Sequence, residues 1–238
     1  MGYIVISGGS KGIGRAIALH FARQHWHIAI CGRDETALQA VLQETRRLHP
    51  GGEMIAARVD MSDKEQVSSF ARLVQQRFPA VDVLVNNAGI FEPGAVHQEA
   101  EGQLERLMAS NLYSAYYLTR ALLPVMIARR QGHIFNMCSV ASLQAYANGG
   151  SYSISKFALL GFSRNLREEL KPYRIKVTAI MPGPTLTDSW AGYPAPATRF
   201  IPPEDIASLV WQLNCLAPQT VVEELIVRPV EGDIPADT

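Results

Sequence analysis

Seven short apolar runs alternate with segments of helical period along the chain, at 3–7, 27–31, 54–59, 81–85, 133–138, 175–180 and 221–227. Their residues are apolar at successive positions rather than at every second one. Strands read this way when both faces of a sheet are covered, as in a parallel sheet with helices on both sides. Helices are expected over 13–24, from a cap at Asp34 to 48, from a cap at Ser62 through Val67, Phe70 and Val74, and over 103–130, 151–170 and 204–216. Pro124 is placed to kink or divide the long one. No linker, repeat or low-complexity stretch interrupts the pattern. A single doubly wound α/β domain over 1–238 is therefore expected, with a seven-stranded, mainly parallel sheet. The composition, 47% hydrophobic and 18% charged, supports a core of that size.

In such folds ligands lie at the carboxyl ends of the strands, so residues just after strands are the ones to inspect. The first strand runs into Ser7-Gly8-Gly9-Ser10-Lys11-Gly12-Ile13-Gly14, which opens a helix. Glycines at 8, 12 and 14 permit a tight turn, close approach of a pyrophosphate and close helix packing, with the helix N-terminus facing the anion. The placement makes this a Rossmann-type dinucleotide loop rather than an ordinary turn. The second strand ends at Cys31-Gly32-Arg33. An acidic residue here would hold a ribose 2′-hydroxyl; Arg33, with Lys11 in the loop, instead suits a 2′-phosphate, which favours NADP(H) over NAD(H). The adjacent Asp34 is accounted for by capping. Asp60, after the third strand, has two uses open to it: accepting from an adenine amino group or capping the next turn.

Tyr152 and Lys156 stand one helical turn apart. A free tyrosine has a pKa of ~10. A nearby cation favours the phenolate and brings the phenol into range for proton transfer. A pair at this spacing is more often a surface feature, but Ser139 follows the fifth strand and can hydrogen-bond a substrate carbonyl while Tyr152 donates to it. Asn111 lies in the long helix among Met108, Leu112 and Ala115, where a buried amide needs a partner and satisfying a backbone group is the usual one. The six histidines show no metal-ligand spacing, and three scattered cysteines, Cys31, Cys138 and Cys215, offer neither a disulfide framework nor a metal site. Lys+Arg and Asp+Glu both number 22, which argues against a nucleic-acid or anionic-membrane surface. No apolar run approaches a membrane span and no charged leader precedes the first strand, so a cytoplasmic location is expected.

These residues, in order and spacing, resemble the classical short-chain dehydrogenase/reductases over essentially the whole chain. The resemblance rests on the glycines at 8, 12 and 14, Asn86-Asn87-Ala88-Gly89, Asn111, Ser139, Tyr152 with Lys156, and Pro182-Gly183. It implies hydride transfer between a nicotinamide and a carbonyl or alcohol. Tyr152 would be the proton donor. Lys156 would lower its pKa and hold the nicotinamide ribose, Ser139 would orient the substrate, and Asn111 would hold a relay water. Asn87, Ala88 and Gly89 would line the adenosine-ribose side; Asp60 would contact adenine, with Met61 beside it in the cofactor set. Pro182, Gly183 and Thr185 would flank the nicotinamide. The family also implies a homodimer or homotetramer through the helices that carry Tyr113, Tyr116, Tyr117, Phe157 and Phe162.

Residues 220–234 together with Gly132-His133-Ile134-Phe135 and Trp190 are similar to bacterial sepiapterin-reductase-like members, which implies a diketo side chain as substrate. Reduction of 3-oxoacyl carriers or oxidation of 3-hydroxy acids are the alternatives, and a silent NADP(H) sensor is one of another class. Residues 183–203 would cover the substrate, with Trp190 and Tyr193 facing it and Phe200 pinning the cover to the body. Phe91, Leu143, Gln144 and Tyr146 would form the opposite wall. Gln144 and Asp188 are candidates for polar contacts to a pterin.

Overall fold

A computed structural model of the chain describes residues 1–234. Its strands are β1 (Tyr3–Ser7), β2 (His27–Gly32), β3 (Met54–Arg58), β4 (Val83–Asn86), β5 (Gly132–Met137), β6 (Ile175–Pro182) and β7 (Glu224–Val227). They form one sheet in the order β3-β2-β1-β4-β5-β6-β7, and every neighbouring pair is parallel. The chain order reverses between β1 and β4, which opens a crevice at their carboxyl ends.

The helices are α1 (Gly12–Arg23), α2 (Glu35–Leu48), α3 (Lys64–Arg77), α4 (Gln103–Met108), α5 (Ser114–Arg129), α6 (Gly150–Leu170) and α7 (Pro203–Asn214). Two apolar clusters cover the two faces. Ile4, Ile6, Ile28 and Ile30 pack with Phe21 of α1 and Ile206 of α7. Val5, Leu84 and Ile134 pack with Phe70 of α3, Leu118 of α5 and Leu166 of α6. This division explains the unbroken apolar runs, because alternate residues of each strand enter opposite cores.

Four expectations need correction. Asp63, not Ser62, caps α3, accepting from the backbone N–H of Glu65 and Gln66 at 2.9 and 3.1 Å. β4 begins at Val83: Val81 is buried but lies ahead of the pairing with β1. β7 begins at Glu224, where pairing with Ala179 starts. The long helix runs on through Pro124, which α5 accommodates, and its irregularity is a π turn over Ala109–Tyr113 that keeps helical dihedrals. Pro124 is solvent-exposed, so the carbonyl it leaves without a donor is open to water. No helix among the described residues is long and apolar enough to cross a membrane.

Candidate active site

A cleft of about 1050 Å³ lies at the carboxyl ends of the strands. One wall is the turn between β1 and α1. Gly8 has φ +67°, and a Cβ on Gly14 would stand 2.2 Å from the Gly8 carbonyl oxygen. The turn is tied to the end of β4: the Asn87 amide donates to the carbonyls of Gly8 (2.9 Å) and Ser7 (3.2 Å). The Ser7 hydroxyl accepts from the backbone N–H of Asn87 and Ala88 at 3.1 and 3.0 Å. Gly8, Ser10, Lys11, Gly12 and Ile13 line the cleft, as do Ala88 and Gly89, whereas Gly14 lies beneath it, packing α1 onto the turn.

The two cations differ. Arg33 is exposed at the rim and makes no hydrogen bond or ion pair among the described residues. Lys11 is paired with Asp34 at 3.5 Å and with Asp188 at 3.4 Å. Asp34 caps α2 by accepting from the Ala37 N–H at 3.0 Å. Asp60 lines the cleft and also closes its own turn, accepting from the hydroxyl and N–H of Ser62 at 2.7 and 2.9 Å. Those bonds hold its carboxyl below the usual range. Met61 lines the cleft with its sulfur 3.4 Å from the Cys31 sulfur.

Helix α6 brings Tyr152 and Lys156 to the cleft floor. The Lys156 ammonium is buried and donates to the Met137 carbonyl at 2.9 Å. Its nitrogen is 5.8 Å from the Tyr152 ring centroid. Burial lowers its affinity for a proton. Burial also pushes the Tyr152 phenol up to about 12, and the opposing effect comes from the Ser139 hydroxyl. Desolvation is the largest influence on the phenol, while the Lys156 ammonium is engaged with a main-chain carbonyl. Ser139 accepts from the Ala141 N–H at 3.1 Å at the start of a short 3₁₀ turn, Val140–Ser142.

Asn111 sits in the π turn and is fully buried. Its oxygen accepts from the Ile90 N–H at 2.8 Å, and its amide donates to the Ile90 carbonyl at 3.1 Å and the Ser155 hydroxyl at 2.8 Å. Ser155 in turn donates to the Tyr152 carbonyl at 2.7 Å. The side chain thus couples the segment after β4 to α6. A Cβ on Gly89 would meet the Asn111 oxygen at 2.9 Å.

Another wall is the cover. Its base closes on itself, with Leu186 N–H donating to Ile201 O and Ile201 N–H to Pro184 O, each at 2.9 Å. Pro182 and Gly183 line the cleft, and the Thr185 hydroxyl donates to the Gly183 carbonyl at 3.0 Å. Trp190 stacks on Phe91 with centroids 6.1 Å apart, and meets Tyr193 at 5.3 Å and Phe200 at 5.5 Å. Phe200 is buried, as expected of a pin. Phe91 meets Tyr152 edge-on at 4.8 Å. Gln144 and Tyr146 line the cleft, but Leu143 does not: it packs inward with Leu112 and Phe162 against the core around Leu159. Asp188 faces Lys11 rather than the substrate end.

Sequence reasoning missed Arg228 and Asp233, an ion pair of 2.9 Å that lines the cleft. Pairing of Val227 with Pro182 delivers them there. The rule that chemistry follows strands, applied to the last strand, would have found them.

A family model described as short chain dehydrogenase matches residues 2–196. The chain belongs to the short-chain dehydrogenase family. Similar proteins include a sepiapterin reductase of Chlorobaculum tepidum, 34% identical, with 98% of each chain covered. Among solved structures, an alcohol dehydrogenase of Thermococcus sibiricus complexed with 5-hydroxy-NADP superposes with a TM-score of 0.90 at 28% identity, covering 99% of each chain. A metagenomic short-chain oxidoreductase in complex with NADP has a TM-score of 0.83 at 34% identity, covering 96% of this chain and 97% of that one. This short-chain dehydrogenase is thus an oxidoreductase of a family that uses a nicotinamide cofactor, and the cleft fits one: a braced glycine turn at one end, Tyr152 and Lys156 at the other.

Proposed function

We propose that this short-chain dehydrogenase is an NADP(H)-dependent carbonyl reductase whose substrate carries its ketone on a flat, conjugated or aromatic frame. The observation that carries the reading is the placement of Tyr152, facing Ser139 and with Lys156 one turn below it, in the same cleft as the glycine turn. Bound NADPH supplies the hydride to the carbonyl carbon. Ser139 and Tyr152 hold the carbonyl oxygen, and Tyr152 gives up its phenolic proton as charge develops there. Lys156 holds the ribose and steadies the phenolate left behind. Since burial favours the protonated phenol, carbonyl reduction starts from the proton-loaded form throughout the neutral range.

Arg33 supports the preference for NADPH. An exposed guanidinium at the end of β2, which acts on the Asp60 carboxylate through space but forms no ion pair or hydrogen bond among the described residues, is available to fork onto a 2′-phosphate. Phe91, Trp190 and Tyr193 support a flat substrate, and the likeness to a sepiapterin reductase supports a diketo side chain on a pterin. Tyr113, Tyr116, Ile154 and Phe157 are 38–45% exposed on neighbouring helices, which supports assembly of two or more copies.

The test is oxidation of NADPH, followed by its absorbance, with a panel of pterin and other aryl diketones, 3-oxoacyl thioesters and simple aliphatic ketones. Turnover with the diketones and faster reaction with NADPH than NADH are expected. Tight NADPH binding without turnover on any carbonyl would contradict the reading and favour a sensor.

A further inference from the structure

The first turn of α6 carries Tyr152, and a helix start leaves backbone N–H groups without intrahelical partners. Gly149, at the N-cap, has no side chain to satisfy them. A residue from another loop does so. Glu99, in the long connection between β4 and α4, accepts from the Ser151 backbone N–H at 2.7 Å and from the Ser151 hydroxyl. Ser151 is 1% exposed, so this carboxylate is the partner of a buried donor pair immediately before Tyr152.

Three further observations show that the contact is built in. Gly150 has φ +36°, and a Cβ there would lie 2.1 Å from a Glu99 carboxylate oxygen and 2.3 Å from the Gly94 carbonyl oxygen. The absence of a side chain at Gly150 is what admits the carboxylate. The same connection also grips the approach to α6 through a Gly94 N–H donation to the Asn148 carbonyl at 2.9 Å. At its start, Phe91 sits edge-on against the Tyr152 ring at 4.8 Å. One loop therefore holds two consecutive residues of the catalytic turn, the backbone of one and the ring of the next.

We propose that Glu99 is a positioning residue for Tyr152: by capping α6 from outside the helix it fixes the turn that aims the phenol at Ser139. A carboxylate at a helix N-terminus also meets the favourable end of the helix dipole. The proposal rests on the reductase reading for its kinetic consequence, but its structural part does not.

Glu99→Ala and Glu99→Gln test it together. A carboxamide can still accept from the Ser151 N–H through its oxygen and donate to the Ser151 hydroxyl through its nitrogen. Glu99→Ala is expected to lower kcat by about 10- to 100-fold, the scale of a misplaced catalytic group, while KM for NADPH stays within about twofold. Glu99→Gln is expected to recover most of the loss. Amide hydrogen exchange across 146–156 in Glu99→Ala is expected to quicken roughly fivefold, the scale of a lost cap, with exchange in α1 unchanged. Unchanged exchange in 146–156 would overturn the proposal. So would a parallel fall of kcat, NADPH affinity and melting temperature that Glu99→Gln does not restore, since that is a general stability role. Absence of turnover in the parent enzyme would defeat the reductase reading, and exchange would still decide whether Glu99 holds the turn.

Discussion

The glycine turn and the cover line one cleft but are held by different means. The turn is tied to the residues just after β4 by half-buried hydrogen bonds between side chain and main chain, with the Ser7 hydroxyl accepting and the Asn87 amide donating, and Gly14 leaves no room between α1 and the Gly8 carbonyl. The cover is clasped at its base by Leu186 and Ile201, and its tip meets the body through aromatic rings and the exposed Lys11–Asp188 pair. Exposed ion pairs contribute little, whereas aromatic faces tolerate many partners. The cofactor wall therefore demands particular residues at particular positions. On the proposed reading the cover is the substrate wall, and it demands apolar surface of roughly the right shape.

Substitutions on the two walls should differ accordingly. The largest effect is expected from Gly14→Ala, which places a methyl against a backbone oxygen. NADPH affinity, read by fluorescence titration, should fall on the order of 100-fold as α1 is forced off the turn, with a lower melting temperature. Arg33→Ala should raise KM for NADPH by about 10- to 100-fold, the scale of lost charge-assisted hydrogen bonds, and leave KM for NADH nearly unchanged. Equal effects on both would remove Arg33 from the 2′-phosphate. The smallest effect is expected at Trp190→Ala, which should raise KM for an aryl diketone by roughly 3- to 10-fold, the scale of an aromatic contact, and alter NADPH affinity little. A Trp190 effect as large as that of Gly14 would erase the contrast between the walls.

The same contrast explains what could be read from the chain. The sheet was legible because each strand enters two cores and so must be apolar throughout. The glycine turn was legible because close approach there excludes any side chain. The π turn at Asn111 was not: it is a shift in backbone hydrogen-bond register, and no residue type announces one. Ser62 and Asp63 are adjacent residues of equal capping ability, and only the backbone path chooses Asp63. Leu143 reads like any wall residue until its direction is known. The burial that raises the Tyr152 phenol was not legible either, because spacing along a helix gives proximity to Lys156 but not desolvation. Arg228 and Asp233 enter the cleft only through the pairing of β7 with β6. Glu99 reaches Ser151 across 52 positions of sequence, a distance no local pattern spans.

The central claim is that Tyr152 protonates the substrate oxygen beside a cofactor the cleft binds independently. Tyr152→Phe removes only the hydroxyl, so kcat and NADPH affinity measured on that one variant test it directly. The expected result is a kcat lower by about 100- to 10,000-fold, the range of a lost general acid, with NADPH titrating as it does in the parent enzyme. A Phe variant that turns over within a few-fold of the parent, or one that loses NADPH binding in step with its activity, would contradict it.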